Sequence, residues 1–132
     1  MPVLVDSNVI LDLANQDPVW SEWSRAAMED HSRVGLIVNS MVYAELCCNA
    51  QSTSEVDALL NGMEVQMAEI PREALFFAAK AHLVYRRRGG TKTTPLPNFF
   101  IGAHAEVLGI AILTRDQGRY KTYFPSVRLI GP

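Results

Sequence analysis

No apolar run in the 132-residue chain approaches the roughly 20 residues that cross a bilayer, so no transmembrane helix is expected. Targeting features are missing from the start as well. Met1-Pro2 leads directly into Val3-Leu4-Val5, with no basic leader and no small-residue cleavage site, and a cytoplasmic location is expected. Cysteine is scarce. Cys47 and Cys48 are adjacent in a helical segment, a poor geometry for a bridge, and are expected to be small, partly buried thiols in a reducing compartment. Neither charge dominates: Lys+Arg 12 against Asp+Glu 14 gives a net charge of −2, so no global field draws in a polyanion. Any such partner must be met by a local patch. The three histidines, His31, His82 and His104, form no nucleophile–histidine–acid or two-histidine arrangement. There are no repeats and no low-complexity segments.

What is present is an ordinary globular composition, 48% hydrophobic and 20% charged, in a length that suits one domain over residues 1–132 with a real core. Five short apolar runs read as strands: Val3–Val5, Leu36–Val38, Val65–Ile70, Ile110–Leu113 and Val127–Ile130. The third is the least apolar and suits an edge. Helices fall between them. Val9–Ala14 is short, and Val19–Asp30 carries Trp20, Trp23 and Ala27 as one stripe. Ser40 caps a helix to about Ala50, and Ser54 caps another that stops at Asn61-Gly62. Pro71 opens a long helix with Leu75, Ala78, Ala79, His82 and Leu83 on one side, ending at Gly89-Gly90. Asn98–Leu108, closed by Gly109, is the last. Near-continuous apolar strands alternating with helices predict an α/β fold: a three-layer α/β/α sandwich around a mostly parallel five-stranded sheet.

Ligands of such sheets bind outside the carboxyl ends of the strands. Asp6 directly follows the first strand, Glu45 lies in the second turn of the helix after the second, and Asp116 stands three residues past the fourth. Asn98 opens the helix that leads into the fourth strand, so it is expected at the same edge. Taken singly, an Asp after a strand is an ordinary turn or cap residue and Glu45 an ordinary helix-face acid. Their coincidence is what carries weight. Carboxylates about 4 Å apart repel by roughly 4 kcal/mol per pair at an effective dielectric near 20, so a cluster stays ionised only around a cation. Oxygen ligands with water access favour Mg²⁺ or Mn²⁺, ions that activate water at a phosphodiester. Arg86-Arg87-Arg88, with Lys92 beyond Gly89-Gly90, is a candidate phosphate-binding run, although cations also complement a helix C-terminus.

These residues, in this order, resemble the PIN-domain ribonucleases, and most closely the VapC toxins of VapBC toxin–antitoxin pairs. The likeness runs nearly end to end. "VLVDSNVILDL" is similar to the first-strand motif with its metal-binding acid, Asp6, followed by Ser7. "NSMVYAEL" is similar to the second, with Glu45. "PLPNFFIGAHAEVLGIAILTRDQGRYKTYFP" resembles the C-terminal block, in which Asp116 follows Thr114 and Arg115. The resemblance implies a Mg²⁺- or Mn²⁺-dependent endoribonuclease acting on RNA, often tRNA or ribosomal RNA. It further implies neutralisation by a cognate VapB-type antitoxin and a homodimer.

One position departs from the pattern. Where the family has an aspartate, this chain has Asn98. The amide is a good helix cap, a mark of a natural weakened relative, or a replacement introduced to silence a toxic nuclease. Intact motif residues elsewhere, and the smallness of the change, favour the last. An amide keeps the shape and one oxygen but removes a charge and adds two N–H donors that a cation repels. Two other readings remain. A catalytically inactive PIN-like module would bind RNA or antitoxin without cutting. A phosphoacceptor signalling domain needs an Asp at the end of the middle strand and a Lys after a later one. The segments ending in Pro71-Arg72 and Gly131-Pro132 supply neither.

Overall fold

In the computed structural model, which describes residues 1–89 and 96–132, the chain forms β1 (Val3–Val5), α1 (Ser7–Ala14), α2 (Ser21–Asp30), β2 (Leu36–Val38), α3 (Ser40–Cys47) and α4 (Thr53–Gly62). There follow β3 (Val65–Met67), α5 (Arg72–Arg87), α6 (Leu96–Leu108), β4 (Ile112–Leu113), α7 (Gly118–Lys121) and β5 (Leu129–Ile130). The strands make one sheet in the order β3-β2-β1-β4-β5, every pairing parallel. Helices pack over it in the expected three-layer α/β/α arrangement. Val3 lies opposite Leu36, and Leu4 opposite both Ile37 and Ile112, so β1 is central. Val3, Leu4 and Val5 are buried because a central parallel strand is covered on both faces. The chain leaves β1 toward β2 on one side and returns through β4 on the other. The switch in strand order therefore opens a crevice between β1 and β4. β3 is an edge strand, with Val65 buried and Gln66 and Met67 exposed.

Three strands are shorter than the apolar runs that encode them. Ile110, Ala111 and Val127 are buried core residues but precede the paired rungs Ile112–Leu129 and Leu113–Ile130. Beyond β3, one further bond from Ala68 N–H to the Val38 carbonyl (2.8 Å) prolongs the contact before the chain turns away. Burial makes a residue apolar; only a neighbour in register makes it strand.

Caps are corrected at several points. α3 is capped by Asn39 rather than Ser40: the Asn39 side-chain oxygen accepts from the N–H groups of Met41 and Val42, both at 3.0 Å. α4 is capped by Ser52, which accepts from Glu55 N–H at 3.2 Å, so Ser54 lies inside the helix. α1 begins at Ser7, with Asp6 as its cap. α2 begins at Ser21, after Asp17 has turned the chain by accepting from the N–H groups of Val19 and Trp20. Gly109 (φ 66°) and Gly89 (φ 76°) end their helices in the left-handed conformation that glycine tolerates.

The buried side of α5 shares Ala78 with the stripe read from the sequence but leaves its leucines outside. Ala74, Ala78 and Ala81 face inward, with Phe77 and Tyr85 beside them, whereas Leu75, Phe76, Leu83 and Val84 are exposed. Small residues allow α5 to approach α6 closely, and aromatic rings fill what remains. Phe99 stands 5.1 Å from His82, 5.6 Å from Tyr85 and 5.4 Å from Tyr123 between ring centroids. α6 is buried on nearly all sides, Asn98 and His104 included. Trp20 and Trp23 are half-buried and meet edge to face. α4 buries Val56 and Leu60, so the stretch from Ser52 to Met63 contributes to the core as well as to the surface. Cys47 is half-buried, but Cys48 is exposed rather than packed.

Candidate functional site

Asp6 ends β1 in the crevice, and its carboxylate is wholly buried. One oxygen, Oδ1, accepts from Ser7 N–H at 2.8 Å. The other, Oδ2, accepts from the Thr114 hydroxyl at 2.9 Å and the Tyr120 hydroxyl at 2.7 Å. Hydrogen bonds of this kind fix the direction of a buried carboxylate. The Thr114 oxygen is itself fully used: while donating to Asp6, it accepts from Asp116 N–H at 3.0 Å and the Asn8 amide at 3.2 Å. Asn8 Oδ1 accepts from Arg115 N–H at 3.1 Å, closing the stitch between the start of α1 and the segment after β4.

Arg115, expected beside Thr114 as a supporting residue, turns its side chain to Asp12. Its Nε and Nη2 donate to the two oxygens of Asp12 at 2.6 and 2.9 Å. Asp12 is buried and also accepts from the Ser24 hydroxyl at 2.7 Å. The guanidinium lies 5.1 Å from the centre of a Trp20 ring, a cation–π contact. Asp12 and its partners thus anchor the segment that carries Thr114 and Asp116.

Glu45 projects from α3 toward Asp6. Burial raises its pKa first, the Asp6 charge raises it further, and the Ser7 hydroxyl and Arg119 draw it back. Its Oε1 is buried with no hydrogen-bond partner. Asp116 is more open, its side chain 51% exposed, and its Oδ2 accepts from Arg119 Nε at 2.9 Å. Arg119 Nη1 also stands 3.9 Å from Asp6 Oδ2, linking the two acids. Asn98 is buried in the first turn of α6. That helix is tied to the start of α3 through Asn39 and His104, whose amide and ring nitrogens lie 3.1 Å apart.

The structure therefore brings Asp6, Glu45, Thr114 and Asp116 around one crevice, Asp116 by way of Arg119. Among the described residues, no three Asp, Glu, His or Cys side chains gather closely enough to hold a metal ion as they stand. Position 98 is an amide, and the half-exposed Asp116 is paired with Arg119. The donor types nevertheless fit a hard divalent cation, and the orphaned Glu45 Oε1 is an oxygen awaiting a positive partner.

Arg86, Arg87 and Arg88 are exposed at the end of α5. Tyr85, the residue before them, meets Phe99, the residue after Asn98, which brings the two helix ends together. Lys92 lies outside the described residues. Arg119, Tyr120, Asn8 and Asp12 were not anticipated. Arg119 was legible in principle, since it stands three residues after Asp116, the spacing of a helical ion pair.

Fold and site together define a parallel α/β protein with an acidic crevice at its topological switch. The profile of the PIN domain family matches residues 3–125, and the chain belongs to that family. No curated protein sequence matches it. Solved structures share the fold at low identity. VapBC2 from Rickettsia felis, bound to a DNA fragment from its promoter, aligns with a TM-score of 0.75 and 14% identity, over 99% of this chain and 98% of that one. VapBC-1 from nontypeable Haemophilus influenzae aligns at 0.72 and 17%, over 99% and 98%. VapC20 from Mycobacterium tuberculosis, a toxin that cleaves the sarcin-ricin loop, aligns at 0.66 and 14%, over 96% and 98%.

Proposed function

We propose that this chain is a VapC-type toxin, a Mg²⁺- or Mn²⁺-dependent endoribonuclease that hydrolyses a phosphodiester of tRNA or ribosomal RNA and is weakened in this sequence by Asn98. The observation that carries the reading is the crevice itself: a wholly buried Asp6, held by three hydrogen bonds, beside a Glu45 whose inner oxygen has no partner. Membership of the PIN family supports the same reading.

Asp6, Glu45, Asp116 and the side chain at 98 would hold the ion, whose chemistry is to activate water and neutralise charge developing on the phosphate. Thr114 keeps Asp6 and Asp116 in fixed relation by bonding both. Ser7 N–H and the Tyr120 hydroxyl set the direction of the Asp6 oxygens. Arg86, Arg87 and Arg88, exposed at the end of α5, would meet the phosphates of the substrate, with Lys92 continuing the run in sequence.

A VapB-type antitoxin is the proposed partner, as in the solved VapBC complexes. The exposed Leu75, Phe76, Leu83 and Val84 of α5 suit a homodimer contact. No described helix is long and apolar enough to cross a membrane. A second reading, an inactive module that binds RNA or antitoxin, is favoured by Asn98 alone. Restoring the acid separates the two. The Asn98→Asp protein should cleave RNA in Mg²⁺ at least about a hundredfold faster than the chain as it stands, the scale of several kcal/mol in ion binding. Equal activity in the two proteins would refute silencing by Asn98.

A further inference from the structure

Arg119 puts a fixed positive charge where the crevice calls for one. Among the described residues it is the cation paired with Asp6, at 3.9 Å, and it donates to Asp116 at 2.9 Å. The other arginine nearby, Arg115, is committed to Asp12 and Trp20. Arg119 and Asp116 are both reached by solvent, their side chains 34% and 51% exposed, whereas Asp6 is sealed. The next residue, Tyr120, is buried and bonded to Asp6, so α7 is pinned beside the partly exposed Arg119 side chain.

We propose that Arg119 is an internal counter-cation which competes with the divalent ion for Asp6 and Asp116 and so sets how much free metal the protein needs before it loads. The inference rests on the metal-site reading above. Without the metal, the guanidinium offsets the charge of a buried carboxylate that would otherwise be poorly compensated. An incoming dication meets a like charge within a few ångströms and gains Asp116 only when that ion pair opens. Opening it disturbs no core packing, because both side chains already face water.

Calorimetric titration with Mn²⁺ alone tests this, in the chain as it stands and in the Asn98→Asp background, comparing Arg119→Gln and Arg119→Lys with each parent. Arg119→Gln should bind Mn²⁺ about tenfold or more tightly, the effect of removing a repelling charge from the cluster. Arg119→Lys should shift the same way by less, because a shorter ammonium reaches the pair less well, and it serves if the glutamine variant fails to fold. In EDTA, Arg119→Gln should melt below its parent and recover when Mn²⁺ is added. An arginine that only braces the fold would lower melting and leave Mn²⁺ affinity unchanged. Unchanged or weaker affinity in the variants, with the parent still binding, overturns the counter-cation role and leaves the metal site standing. Absence of Mn²⁺ binding in every protein, Asn98→Asp included, overturns both.

Discussion

Asp6 owes its direction to three donors: Ser7 N–H, Thr114 and Tyr120. Tyr120 shows the reciprocal effect, its pKa raised first by burial and then by the Asp6 charge, so its hydroxyl stays a donor. His104 is the residue at which protonation touches stability. It is buried against Asn39, its Nε2 has no partner, and burial lowers its pKa below 6.5. The unfolded chain therefore takes up the proton first. His104's contribution is complete above about pH 6.5 and is lost as pH falls from there toward the lower folded value. Glu45, with a raised pKa, works in the opposite direction, its contribution present below about 4.5 and lost as pH rises through the higher folded value. Urea midpoints measured from pH 7.5 down to 5 should fall less in His104→Gln, which can still accept from Asn39, than in the parent. Equal slopes would contradict the assignment.

At the scale of elements, α6 is the part on which most packing depends, and Gly102 is its tightest point. A methyl added there would run into the Phe124 ring, which already packs edge to face against Phe77 and Phe99. Gly102→Ala should cost about 1–3 kcal/mol in denaturant unfolding, the range of core overpacking. A change within error would show that the ring moves freely.

The elements also show why some features were legible in the sequence and others were not. Strand cores, helix order, the glycine stops at 89 and 109 and the edge position of β3 follow from local apolar runs and backbone chemistry. The face of α5 did not, because alanines outcompete leucines where two helices meet closely, and periodicity alone cannot weigh a neighbour. Asn39 over Ser40, and Ser52 over Ser54, were decided by which side chain met free N–H groups after the preceding segment had turned. The acids of the site were legible because each follows a strand. Arg119, Asn8 and Asp12 act through partners about a hundred residues away, a relation visible only after folding.

Across the whole molecule, five parallel strands place the ends of β1 and β4 side by side, and that juxtaposition joins residues 6 and 114–116. α3 brings Glu45 toward Asp6, and α6 carries Asn98 buried in its first turn. The central claim is that this convergence holds a divalent ion, and diffraction from crystals soaked in Mn²⁺ tests it most directly. In the Asn98→Asp protein the account predicts an anomalous peak in the crevice within bonding distance of Asp6 and the restored acid, weaker or missing in the chain as it stands. Ordered crystals of the Asn98→Asp protein with no peak there, or with one bound elsewhere by other ligands, would contradict it.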